Sequence, residues 1–271
     1  MSSHSTKKIG LIAGAGEIPV YFARKARQNG IKLISVGFTD EIQTSLSPYS
    51  EKSYSFGVGQ PKKILDTLKK NGVEELLILG KVDKSTIYKL QLPDLKFIQF
   101  LKNIVTHEDK VLLLGVINEL EKEGVRVLSQ KEFLGEIYPS EGILTSRKPS
   151  PRQIEDIEFG LPIARKLADM EIGQTLIVKN KTVIAVEAFE GTDNAIKRGC
   201  ELAKGNCVVI KVSRTNQDYR YDSPGIGPQT IQTLIAGGAS VLALEAERVM
   251  AVEQEKLIHM ADEAQLAVTF V

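Results

Sequence analysis

The chain has no tryptophan, only two cysteines and three histidines, and almost no net charge, since 35 basic residues stand against 34 acidic ones in 271. Each shortage excludes something. A net charge of +1 gives no basic footprint, so nucleic acid is not an expected partner. Cys200 and Cys207 fit neither a Cys-x-x-Cys pair nor a disulfide framework, and a reducing cytoplasm is the simplest setting. No apolar run approaches the length of a membrane span. Two lysines ahead of "IGLIAGAG" mimic the start of a signal peptide, but the apolar stretch is brief and gives way to the amphipathic "EIPVYFARKARQNG". There is no internal repeat and no low-complexity segment.

What is present is ordinary for a folded protein: 42% apolar and 25% charged residues. Apolar strands alternate with helical patterns over short connections. "KIGLIAGAG", "IKLISVGF", "KSYSFGV", "EELLILGKV" and "VRVLSQ" read as strands. Helical stretches between them end at Gly30, Gly72 and Gly124. This alternation argues for an α/β fold with a mostly parallel sheet covered by helices, Rossmann-like in the first half. Residues 138–152, rich in Pro, Ser and Gly, break the pattern and are expected to link a domain over 7–137 to one over 153–271. The second domain is expected to be a smaller, mixed α/β unit. In it, "TLIVKNKTVIAV" reads as a hairpin around Asn180-Lys181. Thr192 or Asp193 caps the next helix, and Pro162 marks a possible break in an earlier one.

Several places suit ligand chemistry. In "GAGEIP", Gly14, Ala15 and Gly16 follow a strand and open a helix, where bare backbone and a helix N-terminus favour a phosphate. The dinucleotide fingerprint wants a third glycine where Pro19 stands. A nucleotide site and an unliganded tight turn both remain open there. Lys81, at the end of another strand, is within reach of a phosphate or is a solvated surface lysine. Glu187, Glu190 and Asp193 crowd one strand-to-helix turn, with Gly191 easing it. Three acids there call for a positive neighbour, whether Arg198, another basic residue or a divalent cation.

The segment "NQDYRYDSPGIGPQT" is the richest. It emerges from the apolar strand "CVVIKV" and carries Lys211, Arg214 and Arg220 with Asp218 and Asp222. Mg²⁺ is typically held by one or two carboxylates plus phosphate oxygens, and basic residues beside such acids suit a polyphosphate ester. The plainer alternative is a surface loop stitched by Arg–Asp pairs.

"GLIAGAGEIP", "LGKV", "IGQTLIVKNKTVIAVEAFEGTDNAIKRG" and "KVSRTNQDYRYDSPGIGPQTI" occur in the order and spacing of one family. The chain resembles the LpxI-type UDP-2,3-diacylglucosamine pyrophosphatases from about Lys8 to Val271. "VEAFEGTD" and "NQDYRYDSPGIGP" are the most specific stretches. The resemblance implies Mg²⁺-dependent hydrolysis of UDP-2,3-diacylglucosamine to 2,3-diacylglucosamine 1-phosphate and UMP, in lipid A assembly. It implies a peripheral enzyme at the cytoplasmic face of the inner membrane, a homodimer, and a ligand between two α/β domains. It also implies an essential aspartate, Asp218 or Asp222, with Arg220 beside it. Substrate contacts are then expected at Gly14, Ala15, Gly16, Lys81, Lys211, Gln217 and Gly227. Metal ligands are expected among Asp218, Asp222, Glu187, Glu190 and Asp193.

The chain departs from the family at Arg214-Thr215-Asn216, at Ser223-Pro224-Gly225, and at Ala246-Glu247, where an alanine-glycine pair is usual. Two rivals stand beside this reading: an NAD-dependent oxidoreductase, and a non-catalytic nucleotide- or lipid-binding protein on the same fold.

Overall fold

The computed structural model describes residues 8–80, 109–221 and 223–271, without the side chains of 109–113. The chain clusters into two compact units: residues 1–133 with 219–221, and residues 134–218 with 222–271.

The first unit is built on strands β1 (Lys8–Ala13), β2 (Lys32–Gly37), β3 (Lys52–Ser55), β4 (Glu75–Leu79) and β5 (Arg126–Val127). All neighbours are parallel, in the order β3-β2-β1-β4-β5. Parallel strands covered on both faces read as unbroken apolar runs, and Ile9, Leu11, Leu33, Ile34, Leu76 and Leu77 are accordingly buried. Each such side chain contributes about 1.5–3 kcal/mol.

Among the described residues, helices α1 (Ile18–Gln28), α2 (Asp40–Leu46), α3 (Pro61–Lys70) and α4 (Asp109–Lys122) flank the sheet, and the chain leaves the unit within the short α5 (Lys131–Leu134). In α1, Phe22, Ala23 and Ala26 form the buried stripe; in α3 it is Ile64 and Leu68. The strand order is one that sequence alternation alone does not reveal. It reverses direction between β1 and β4, and open α/β sheets bind ligands at the strand ends of such a point.

The second unit has a mixed sheet, β6-β13-β11-β9-β7-β8. Its strands are β6 (Gly142–Ile143), β7 (Thr175–Lys179), β8 (Thr182–Val186), β9 (Val208–Lys211), β11 (Val241–Leu244) and β13 (Ala267–Phe270), with a separate parallel pair β10 (Gly225–Ile226) and β12 (Met250–Ala251). β9, β11 and β13 are parallel; β7 and β6 run against their neighbours. Residues 138–152 therefore include a strand paired to β13.

Helix α6 (Pro151–Asp169) packs Ile157, Ala164 and Ala168 on one face of the sheet, with Leu176, Val178, Val208 and Ile210. The opposite face packs against α7 (Thr192–Ala203), α8 (Pro228–Ala236) and α9 (Gln254–Glu263) through Ile196, Ile231 and Leu257.

Pro162 does not break α6. The helix runs 19 residues, with Pro151 in its first turn and a capping box between Ser150 and Gln153. The hairpin falls where "NK" indicates it. Asn180 and Lys181 have φ of 53° and 54°, the both-positive pattern of a tight two-residue turn. The buried Asp156 carboxylate accepts both of their backbone N–H groups, at 3.0 and 2.6 Å.

Candidate active site

In the second unit, four consecutive strands of the sheet end in polar residues at one edge. Lys211 closes β9, and its register partner across the ladder is Thr175, the first residue of β7. Glu187 follows β8 and donates its N–H to the Thr175 carbonyl at 2.9 Å. Glu245 follows β11 and donates its N–H to the Lys211 carbonyl at 3.0 Å. Glu187, Thr175, Lys211 and Glu245 thus stand in a row at the carboxyl ends of the parallel strands, the side where open α/β sheets work.

The row is wired by side chains. The Lys211 ammonium is buried and donates to Thr192 Oγ1 at 2.7 Å and to Thr175 Oγ1 at 3.4 Å. Thr192 in turn donates to Glu187 Oε1 at 2.9 Å. The other oxygen, Glu187 Oε2, is buried with no hydrogen-bond partner, and Lys211 Nζ lies 4.0 Å from it.

Two helix N-termini meet beside this chain. α7 begins after Gly191 and α8 after Gly227, and neither has a side-chain cap. Thr230, in the first turn of α8, donates to Asp193 in the first turn of α7 at 3.0 Å. The expected cap at Thr192 or Asp193 is therefore not made: Gly191, at φ 79°, is the cap position. Thr192 and Asp193 bind other side chains instead.

Of the three crowded acids, Glu190 has its positive neighbour in Arg198, at 2.5 Å, and that bond holds its carboxyl below the usual carboxylate range. Glu187 and Asp193 take the partners just described. Among the described residues, no three His, Cys, Asp or Glu side chains gather closely enough to hold a metal by themselves.

The segment after β9 is fastened along its length. Glu245, almost wholly buried, accepts from Ser213 N at 2.8 Å, from Arg165 Nε at 3.0 Å, and lies 3.5 Å from Arg248 Nε. Arg248 also donates to the carbonyls of Arg214 and Thr215. Asp169, at the end of α6, accepts from Thr215 N at 2.6 Å and Thr215 Oγ1 at 2.8 Å. The backbone bond, then the hydroxyl, lower the Asp169 carboxyl from its ordinary value. Gln217 accepts from Gln174 at 3.0 Å.

The three residues that follow Asp218, 219–221, are counted with the first unit. Within the first unit, Gln130 N donates to the Tyr219 carbonyl at 2.8 Å, Tyr221 packs on the apolar cluster that includes Val116, and Arg220 pairs with Glu121 at 3.1 Å. Asp218 and Asp222 therefore flank the three residues counted with the first unit. Asp222 itself and Lys81 lie outside the described residues.

In the first unit, Gly14 donates its N–H to the Leu79 carbonyl at 2.8 Å, joining the ends of β1 and β4. Ala15 and the positive-φ Gly16 are exposed ahead of α1. Gly80, at φ 87°, fits under Gly14 and Ala15 so closely that a Cβ there would stand 2.8 Å from their backbone atoms. Glycine and open backbone thus line the point where strand order reverses. Pro19 is buried in the first turn of α1, in the place of a third fingerprint glycine.

Residues 8–137 match the LpxI N-terminal domain and residues 140–269 the LpxI C-terminal domain. The chain belongs to the LpxI family. UDP-2,3-diacylglucosamine pyrophosphatase LpxI of Caulobacter vibrioides is 31% identical to it over 273 residues, covering 97% of this chain and 96% of that protein. Two solved structures resemble it only slightly. The biotin carboxylase domain of Hydrogenobacter thermophilus 2-oxoglutarate carboxylase gives a TM-score of 0.27 at 15% identity, over 74% of this chain and 42% of that one. UDP-glucose 4-epimerase of Bifidobacterium longum gives 0.29 at 13% identity, over 54% and 42%. Likeness at that level carries no argument about function.

Sequence reasoning missed Thr175, Thr192, Asp169, Glu245 and Arg248. One signal was available: "VVIK" and "VLALE" each end an apolar run on a charged residue.

Proposed function

We propose that this LpxI-family chain hydrolyses the pyrophosphate bond of UDP-2,3-diacylglucosamine, giving 2,3-diacylglucosamine 1-phosphate and UMP, with Mg²⁺. The observation that carries the reading is the near full-length match to a protein of that name. The edge of the second sheet supports it chemically. A buried lysine and two helix N-termini favour a dense anion such as a diphosphate. Glu187 offers an orphaned carboxylate oxygen beside them. Mg²⁺ keeps waters and is usually shared between one or two carboxylates and substrate phosphates.

In this reading Glu187, with Asp218 or Asp222, would hold the ion, which would neutralise phosphate charge when bound. Lys211 holds a phosphate oxygen, and its bond to Thr192 fixes the ammonium at the strand end. Asp218 or Asp222 orients the attacking water and takes its proton. Arg220 assists a phosphate oxygen or one of the two acids. Gly14, Ala15, Gly16, Lys81, Gln217 and Gly227 contact the nucleotide-sugar lipid. The reading also carries a peripheral enzyme at the cytoplasmic face of the inner membrane and a homodimer. No helix among the described residues is long and apolar enough to cross a membrane.

The test is direct. Purified protein, UDP-2,3-diacylglucosamine and Mg²⁺ should yield UMP and the lipid 1-phosphate by chromatography. Release of UDP instead, or no nucleotide product, overturns the reaction. Turnover undiminished after thorough chelation with EDTA overturns the metal requirement alone.

A further inference from the structure

The two cysteines of the chain face each other inside the second unit. Cys200 lies in α7 and Cys207 just before β9; both are buried, and their sulfurs are 3.6 Å apart, one thiol donating to the other. Buried thiols usually act as small apolar side chains. Three observations set this pair apart.

The first is how close it already is to a bond. A disulfide needs a sulfur separation of ~2.05 Å, so an approach of roughly 1.5 Å closes it. Both residues belong to one compact unit. The second is the space beside it. Cys200, itself almost wholly buried, borders a pocket of about 380 Å³ with Lys197, Lys204, Thr233 and Gly237. The third is asymmetry. The hydrogen bond from Cys207 lowers the Cys200 thiol from its ordinary value, while the same bond and burial push Cys207 up. The two sulfurs are thus not equivalent, and the more acidic thiol of such a pair is the one that reacts first.

We propose that Cys200 and Cys207 form an oxidisable dithiol site, which hydroperoxides convert to an intrachain disulfide tying α7 to the start of β9. The Cys200 thiolate attacks one oxygen of hydrogen peroxide, the O–O bond breaks, and hydroxide leaves, giving a sulfenic acid. The Cys207 sulfur then attacks Cys200, the S–O bond breaks, and the oxygen leaves as water with the Cys207 proton. Two thiols and one peroxide become one disulfide and two waters, the sulfurs giving up two electrons. α7 starts at Thr192 and β9 ends at Lys211, and those two residues are joined by the 2.7 Å hydrogen bond of the candidate site. The cross-link therefore fastens one end of a pair of elements whose other end carries that bond. None of this depends on the substrate proposed above.

The test treats reduced, desalted native protein with hydrogen peroxide, removes the peroxide, blocks the thiols with iodoacetamide in urea and weighs the protein intact. The expected product has lost two hydrogens and carries no alkyl group on either cysteine, and dithiothreitol restores two alkylatable thiols. Cys207→Ser should leave Cys200 as a sulfenic acid that dimedone traps. Two alkylated cysteines after peroxide, or oxygen adducts without the loss of two hydrogens, overturn the proposal. Closure only in urea-unfolded protein overturns it too, since the native juxtaposition would then contribute nothing.

Discussion

In the first unit, every described residue with a positive φ is a glycine: Gly16, Gly30, Gly72, Gly80 and Gly124. The second unit holds eight others: Glu171, Asn180, Lys181, Lys204, Asn206, Glu247, Glu253 and Gln265. Their candidate edges differ in the same way. The first offers Gly14, Gly16 and Gly80, with bare backbone between them. The second offers Glu187, Lys211 and Glu245, each held by named partners. One unit ends its strands on glycine; the other ends them on charged side chains. The left-handed region costs a side-chain-bearing residue roughly 1–2 kcal/mol, so the second unit carries strain that the first avoids.

The largest expected effect tests whether the chemistry lies on the side-chain-rich half. Asp218→Ala and Asp222→Ala should each leave a folded protein, because the sequence reads as a loop around both. Losing a general base alone costs ~10²–10⁴-fold in rate. Turnover, ligand affinity and a melting curve on each variant separate chemistry from folding. Wild-type rates in both would leave the two edges equal in importance and dissolve the contrast.

The second prediction sharpens the backbone half. Gly80→Ala adds a Cβ at φ 87° and pushes it to 2.8 Å from the Gly14 and Ala15 backbone. Left-handed strain and overpacking together cost about 2–5 kcal/mol. Gly16→Ala meets nothing within 4 Å, so it bears the strain alone, about 1–2 kcal/mol. Urea unfolding of the two variants should separate them in that order. Equal midpoints would mean that close packing at the strand ends does not matter.

This contrast also explains what was legible beforehand. Gly30, Gly72 and Gly124 follow α1, α3 and α4, so the helix ends of the first unit are visible in the sequence. The alternating strands and the hairpin at Asn180-Lys181 are visible for the same kind of local reason. Lys204, Glu253 and Gln265 stand in left-handed turns without any such mark. β6 is two residues long and owes its existence to β13, far along the chain. At the site, the crowding of Glu187, Glu190 and Asp193 and their need for a positive neighbour follow from spacing, with Arg198 one of three candidates. The link from Lys211 through Thr192 to Glu187 does not, because it needs the register of β7 against β9. Thr192 looks like a cap from sequence and becomes a relay only once that register exists.

A third prediction probes how the charged edge is held. Thr215 bonds lower the Asp169 carboxyl, so folding favours its ionised form. That contribution is complete above the ordinary aspartate range near pH ~4. It disappears as pH falls through the lower folded value. The protection factors of the amides of residues 213–217, taken relative to intrinsic exchange at each pH, should therefore fall with acid in the wild type. Asp169→Asn should exchange faster than the wild type at neutral pH and lose that part of the pH dependence. Identical profiles would show that Glu245 and Arg248 hold the segment without Asp169.

The smallest effect is expected where the two units can be made alike. Glu247 has φ 58° and is exposed, at the position where the family pattern usually reads glycine. Its N–H donates to the Pro139 carbonyl at 2.8 Å, which any residue retains, and its carboxylate accepts from Ser140 at only 3.4 Å. Glu247→Gly relieves left-handed strain of roughly 1–2 kcal/mol and gives back about 0.5–1 kcal/mol of unfolded-chain entropy. A bond so long on an exposed side chain adds little to the loss. Relief exceeds cost, and the variant should be more stable by up to about 1 kcal/mol, seen as a higher urea midpoint with unchanged slope. A lower midpoint would mean that the Glu247 side chain holds residues 139–140 against the second sheet, and that the strain in that unit is offset locally.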